Sequence, residues 1–364
     1  MRELVFEGVS RLAWREAAAP VLHDPSEALV RPLAVARCDL DVAIVRGSAP
    51  FRGKPLHWLR EHLPHRLGRD GLFRRAPFAA PFSFGHECVA EVLEVGEAVR
   101  GFARGDLVVL PFQLSCGACD RCRRGLTASC EAVPHGASYG LGRGVRGVLS
   151  DVVSVPFADA MLLRAPDVDV LELASAGDNV ADGVRTVLPP LRARPGASVL
   201  VVGGLAASVG LYAVLAAVAL GAESVAYHDQ DASRLRLAEA LGATAIAGPY
   251  RPQRPRAITV DASADPRGLA AAIRSTEPGG TCTSVGIYFA SETPFPLLPA
   301  FMNGLTFHTG RVCSRAMLPD VLALIGSGAL VPSRVTTHVA SWDEAPRAFL
   351  EHGAKVIVHR PRIT

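Results

Sequence analysis

Lysine is nearly absent from this 364-residue chain: Lys54 and Lys355 stand alone, and arginine supplies the rest of its 38 basic residues. That bias reads as nucleotide composition of the gene more than as a task. Net positive charge is scarce too, because 35 acidic residues leave only +3. So small a balance excludes the basic surface that nucleic acid or an anionic membrane calls for. Also missing are an internal repeat, a low-complexity tract and, at the amino terminus, a charged-then-apolar signal segment, so the expected location is the cytoplasm. The apolar stretch 198–226 has the length of a membrane span. Gly203, Gly204, Gly221 and Glu223 divide it into strand, turn, helix and strand, the pattern of a buried parallel sheet. Cysteine is sparse as well. Eight in so long a chain exclude the disulfide framework of a small secreted domain and agree with a reducing compartment.

Half of those cysteines crowd into one short lobe, 112–132. Cys116, Cys119, Cys122 and Cys130 follow the spacing C-x2-C-x2-C-x7-C. Four thiolates brought together in this way suit a tetrahedral zinc ion. Such a site is closed, so it explains the folding of the lobe and not catalysis. The plain alternative is four free thiols in a loop.

The length allows two domains, each with its own core, and 49% hydrophobic with 20% charged residues describes an ordinary globular protein. Up to Pro111 short alternating runs such as 28–36 and 89–96, punctuated by Gly96, Gly101 and Gly105, read as a β domain of barrel-like type. Segment 47–84 is different: it is rich in Pro, Arg, His and Phe, with periodicity only at 56–63, where a short helix is expected. It reads as an active-site flap or subunit contact, or as a solvated excursion. Strand character returns at 147–156. From Val168 helices appear, and then strands alternate with helices as in a doubly wound α/β unit. Strands are expected at 198–202, 224–228, 257–261 and 281–287, with Gly279 and Gly280 turning into the last, and helices at 209–220 and 234–241. The carboxyl-terminal part mixes helix (318–325, 344–350) with strand (354–359).

Between the first of those strands and its helix lie Gly203, Gly204, Leu205, Ser208, Val209 and Gly210. Backbone amides and a helix amino end there suit a pyrophosphate. The turn is not a clean G-x-G-x-x-G, because Leu205 and Ala207 occupy the other glycine positions counted back from Gly210. Asp229, at the end of the next strand, stands where a carboxylate accepts from ribose hydroxyls and repels a 2'-phosphate, which favours NAD over NADP. As a lone residue it reads equally as a turn or cap, as does neighbouring Asp231.

Cys38 on a loop and Gly85-His86-Glu87 entering a strand would each, alone, read as packing. Taken with the four-cysteine lobe and the glycine turn, they make the chain resemble the zinc-dependent medium-chain dehydrogenases, the alcohol dehydrogenase family, over nearly its whole length. The resemblance implies an α/β protein: a β-rich GroES-like catalytic domain (1–177, returning at 306–364) and a doubly wound parallel-sheet Rossmann domain (178–305). It implies a catalytic zinc held by Cys38, His86 and a third ligand at Asp178, with Asp182 and Asp151 as rivals, besides the structural zinc. Glu87 and Asp41 would orient the metal site. Gly96 and Val99 follow the Gly-His-Glu motif at the family's spacing, with Ala90 where a glycine is usual. Asp229 and Arg234 match the ribose pair, and Val285 and Ile287 flank the nicotinamide.

The implied activity is hydride transfer between an alcohol and NAD, in a homodimer or homotetramer whose partner is a small alcohol or carbonyl compound, with no nucleic acid and no membrane. A polyol, sugar or aldehyde adduct is the alternative substrate, and a catalytically degenerate zinc- and cofactor-binding protein is the alternative of another class. Two departures touch the substrate side. Leu40 stands where the family carries the hydroxyl that receives the substrate proton, and Ala43 where a histidine relays it. The gap from Cys38 to His86 is also about twice the family's.

Overall fold

Apolar residues concentrated in two long segments, 28–36 and 87–95, make the pair of strands around which the first unit is built. The computed structural model describes residues 1–47, 78, 80–142, 144–288 and 292–362. Most of the expected insertion at 47–84, including the helix at 56–63, therefore lies outside the described residues. The chain opens with β1 (Arg2–Gly8), β2 (Arg11–Glu16), β3 (Ala28–Ala36), β4 (Phe82–Ser83), β5 (Glu87–Val95), β6 (Leu107–Leu110), β7 (Val153–Val155) and β8 (Leu163–Arg164). β1 lies between β2 and β4 in a small sheet. β3 and β5 pair antiparallel with two register shifts. Their buried Val30, Val35, Cys88 and Val92 join Leu4 and Phe349 in one core, each large apolar side chain contributing roughly 1.5–3 kcal/mol. The strand expected at 147–156 is shorter because Gly147 and its neighbours lie backbone to backbone with residues 84–85. A Cβ at Gly147 would stand 2.1 Å from the Phe84 carbonyl oxygen.

The second unit is a parallel sheet of β9 (Val199–Val202), β10 (Val225–Asp229), β11 (Thr244–Ala247), β12 (Arg256–Asp261), β13 (Thr276–Ser284) and β14 (Thr306–Thr309), in the order β11-β10-β9-β12-β13-β14. The expected helices are present but begin earlier, at Ala207 and Ala232. Asp231 caps the latter, accepting from the amides of Ser233 and Arg234. β13 also begins earlier than expected. Gly279, at φ +71°, accompanies a shift of register against β12 rather than a turn before the strand.

The chain then returns to the first unit with β15 (His338–Ser341) and β16 (Val356–His359), which extend the sheet to β15-β16-β3-β5-β6-β8, with β7 beside β3. The first unit comprises Met1–Asp178, Cys313–Gly326 and Thr336–Thr364; the second comprises Asn179–Val312 and Ser327–Val335. The parallel sheet continues past residue 305 because β14 pairs with β13. Among the described residues no helix is long and apolar enough to cross a membrane.

Candidate metal centres and cofactor site

Cys38 is the N-cap of the helix Asp39–Arg46, a position usually held by Ser, Thr, Asp or Asn. Its Sγ accepts from the Leu40 amide at 3.1 Å, and its own amide donates to Asp41 Oδ2 at 3.0 Å. The sulfur is thereby fixed at the helix start. His86 and Glu87 enter β5 after Gly85, whose φ of +89° favours glycine. Asp178 lies in the single wide turn Ala176–Val180. Gly177 must precede it, because a Cβ there would stand 2.0 Å from the Leu110 carbonyl oxygen.

These elements bring ligand atoms of Cys38, His86, Glu87 and Asp178, all buried, within 4.8 Å of one another. His86 Nε2 is 3.3 Å from Asp178 Oδ2, and its Nδ1 is 3.5 Å from Asp41 Oδ1. Among the described residues neither that Nδ1 nor that Oδ1 has a hydrogen-bond partner. The two buried atoms face each other, an arrangement that turns Nε2 toward the other donors. The two rival aspartates are engaged elsewhere: Asp182 pairs with Arg185 at 2.5 Å and Asp151 with Arg360 at 2.9 Å.

Burial pushes the Cys38 thiol up to about 12 and the Glu87 carboxyl up to about 8, and raises that of Asp41. Burial lowers the His86 value, but the charges of Asp41 and Cys38 outweigh it and hold it well above the usual histidine range. A buried donor set this rich in acids is costly alone and is what a divalent cation neutralises. The residues fit zinc.

Sequence reading missed one participant. Lys355, fully buried, is ion-paired with Glu87 at 3.1 Å. The signal was its rarity, since it is one of two lysines in the chain.

In the lobe, Cys119 caps the short helix Asp120–Arg123, and the sulfurs of Cys116, Cys119, Cys122 and Cys130 lie within 4.8 Å of one another. Backbone amides of Cys116, Cys119 and Cys122 donate to the sulfurs of Cys130, Cys116 and Cys119 at 3.3, 3.3 and 3.4 Å. The amides of Glu131 and Cys122 bring the Cys119 thiol down to about 6, whereas burial and the adjoining sulfurs push Cys122 up to about 12. Among the described residues every cysteine is a free thiol. This group also fits zinc, with no position left open.

In the second unit a cavity of ≈ 520 Å³ opens at the carboxyl ends of the strands, lined by Gly204, Asp229, Arg234, Tyr250, Asp265 and Arg267 among others. Asp229 is wholly buried. Its Oδ1 accepts from the amides of Gln230 and Asp231 and from Arg234 Nη2; its Oδ2 accepts from Arg234 Nε and the Tyr227 hydroxyl. Burial opposes its charge, but Arg234 and these donors hold its carboxyl below the usual range. Five donors already exceed the roughly four lone-pair sites of a carboxylate, so Asp229 is satisfied within the protein. Gly203 is required there, since a Cβ would stand 2.1 Å from the Tyr227 hydroxyl oxygen. Leu205 is exposed; Ser208 is buried and donates to Asn179 Oδ1. Val209 and Val285 pack together with Ala262, Gly210 stands against the Ala262 Cβ, and Ile287 is exposed.

Residues 24–167 match the alcohol dehydrogenase GroES-like domain, and residues 208–327 the zinc-binding dehydrogenase domain. A probable zinc-binding alcohol dehydrogenase of Mycobacterium tuberculosis is 26% identical over 357 residues, covering 96% of this chain and 84% of that protein. A sorbitol dehydrogenase of Bacillus subtilis is 28% identical over 289 residues, covering 76% of each. The solved structure of the alcohol dehydrogenase TADH from Thermus sp. ATN1 superposes with a TM-score of 0.83 at 30% identity, covering 99% of both chains.

Proposed function

We propose a function from the premise that the chain belongs to the zinc-dependent medium-chain dehydrogenase/reductase family, the zinc-type alcohol dehydrogenases, and is an oxidoreductase. Its reaction interconverts an alcohol, hydrophobic next to the reacting carbon, with the aldehyde or ketone, and its cofactor is NAD. The observation that carries this reading is the grouping of Cys38, His86 and Asp178, buried, with Nε2 of the imidazole turned inward. Zinc held by these three, when bound, supplies a Lewis acid that makes an alcohol hydroxyl more acidic. A second zinc in the four-cysteine lobe is structural. NAD supplies the hydride acceptor.

The chain's own residues orient and select. Asp41 faces the His86 ring at 3.5 Å and turns its Nε2 toward the other donors, and the Leu40 amide steadies the Cys38 sulfur. Asp229 and Arg234 hold the adenosine ribose; the anionic form of Asp229 disfavours a 2'-phosphate. Leu40 and Ala43 offer no proton acceptor where the family carries one. The alcohol proton therefore leaves by water, by a cofactor hydroxyl or through a nearby carboxylate such as Asp39, and an apolar neighbour favours apolar substrate. A second reading, a polyol or sugar as substrate, is favoured by the acidic third donor and by the similarity to a sorbitol dehydrogenase. A homodimer or homotetramer is supported by the helix Leu297–Asn303, where Leu297, Leu298, Phe301 and Met302 are 70–77% exposed. The free thiols support a cytoplasmic setting.

The test is a panel of aromatic, branched and polyhydroxylated alcohols with NAD and NADP, beside metal analysis. Oxidation of apolar alcohols with NAD and about two zinc per chain is expected. Preference for polyols moves the chain to the second reading, and a single zinc with no turnover overturns the activity.

A further inference from the structure

Lys355 is one of two lysines in a chain that writes arginine almost everywhere else. Its Nζ donates to both oxygens of Glu87, at 3.2 and 3.1 Å, and to the Arg37 carbonyl oxygen at 2.9 Å. Neither charge of the pair reaches solvent. The backbone on both sides of this contact is fixed. The Lys355 carbonyl accepts from the amides of Thr337 and His338 and from the Thr337 hydroxyl. The buried guanidinium of Arg37 donates to the carbonyls of Phe349, Glu351 and Gly353. The ammonium therefore has a set position.

Glu87 has a second suitor. One of its oxygens lies within 4.8 Å of the ligand atoms of Cys38, His86 and Asp178. A cation among those atoms and the ammonium of Lys355 compete for one carboxylate. Were Glu87 to join the other three, four protein donors would close a tetrahedral site, whereas catalysis needs one position free. A compact ammonium on a flexible stem suits this buried point contact, where a planar guanidinium would need room for a fork of donors.

We propose that Lys355 is a positioning residue that restrains Glu87 from the metal and so keeps the fourth coordination position open to substrate. This rests on the reading of Cys38, His86 and Asp178 as the catalytic zinc ligands. A residue needed only for packing would, on removal, loosen the site and release metal sooner. A restraint predicts the opposite: metal held longer and turnover lost together.

The experiment compares full-length wild type, Lys355→Met, Glu87→Gln and the double variant. Zinc release to a chromogenic chelator is followed, with the visible spectrum of the cobalt(II) form and its response to added imidazole. Lys355→Met is expected to release the buried-site zinc about tenfold more slowly, to lose about tenfold in turnover, and to show a cobalt band that no longer responds to imidazole. Adding Glu87→Gln should return release and the imidazole response toward wild type. Should Lys355→Met fail to fold, Lys355→Gln, which keeps a donor without the charge, takes its place. Unchanged or faster release with a wild-type cobalt band overturns the proposal alone. A wild type without metal at Cys38 and His86 overturns the site reading and the proposal together.

Discussion

Cys38 does two jobs with one sulfur atom. It caps the helix Asp39–Arg46 and stands in the donor cluster. Serine is a good cap and a poor zinc ligand, so Cys38→Ser separates the two roles. This variant, like His86→Ala, is expected to keep its circular dichroism and the zinc of the lobe while losing the buried zinc and at least a hundredfold in turnover. Turnover retained in a variant shown to lack that metal would sink the mechanism. Leu40 sits two residues on, half-buried against the core of the first unit. It accepts no proton, so wild-type turnover should rise with pH, as the proton leaves without a buffered side-chain relay at this position. Leu40→Ser is expected to flatten that profile and to shift preference from apolar alcohols toward polyols, with a stability loss of roughly 1–3 kcal/mol from the lost apolar contact. Identical pH profiles for the two proteins would mean that position 40 does not face the reacting oxygen.

The lobe is an element with almost no regular structure of its own: a four-residue helix, a short 3-10 turn and three of its four sulfurs accepting amide hydrogens. On the proposed reading its order comes from zinc, because so short a helix is not stable alone. Cys119→Ala should therefore lower the melting temperature and soluble yield while leaving the buried zinc in place in whatever protein is recovered. Metal analysis with a thermal melt checks it, and a variant that loses one zinc yet melts like wild type would contradict a folding role. The cysteine spacing made this element legible from sequence, since chemistry and short range coincide there. Gly279 and Gly280 were less legible. Glycine is permissive in a turn and at an irregularity of register alike, and the pairing of β12 with β13 decides between them.

Across the whole molecule the order of strands and helices was readable, because periodicity and glycine punctuation act locally. The extension of the parallel sheet by β14 was not, because pairing with β13 leaves little trace in four residues. The same holds at the site. Cys38, His86 and Asp178 carry recognisable chemistry, whereas Lys355 meets Glu87 only through the fold, 268 residues away. Nor did any motif mark the helix Leu297–Asn303, which leaves four large apolar side chains to water. A patch of that kind, on the helix that leads into the edge strand β14, is expensive to expose and suits a second copy of the same surface. Light scattering should find the wild type as a dimer or tetramer. Leu298→Glu with Phe301→Glu places like charges face to face across a twofold contact, so the double variant should run as a smaller species. Both positions already lie in water in the single chain, so its fold should survive the change. A monomeric wild type, or a double variant of unchanged size, would show that the assembly does not use this face.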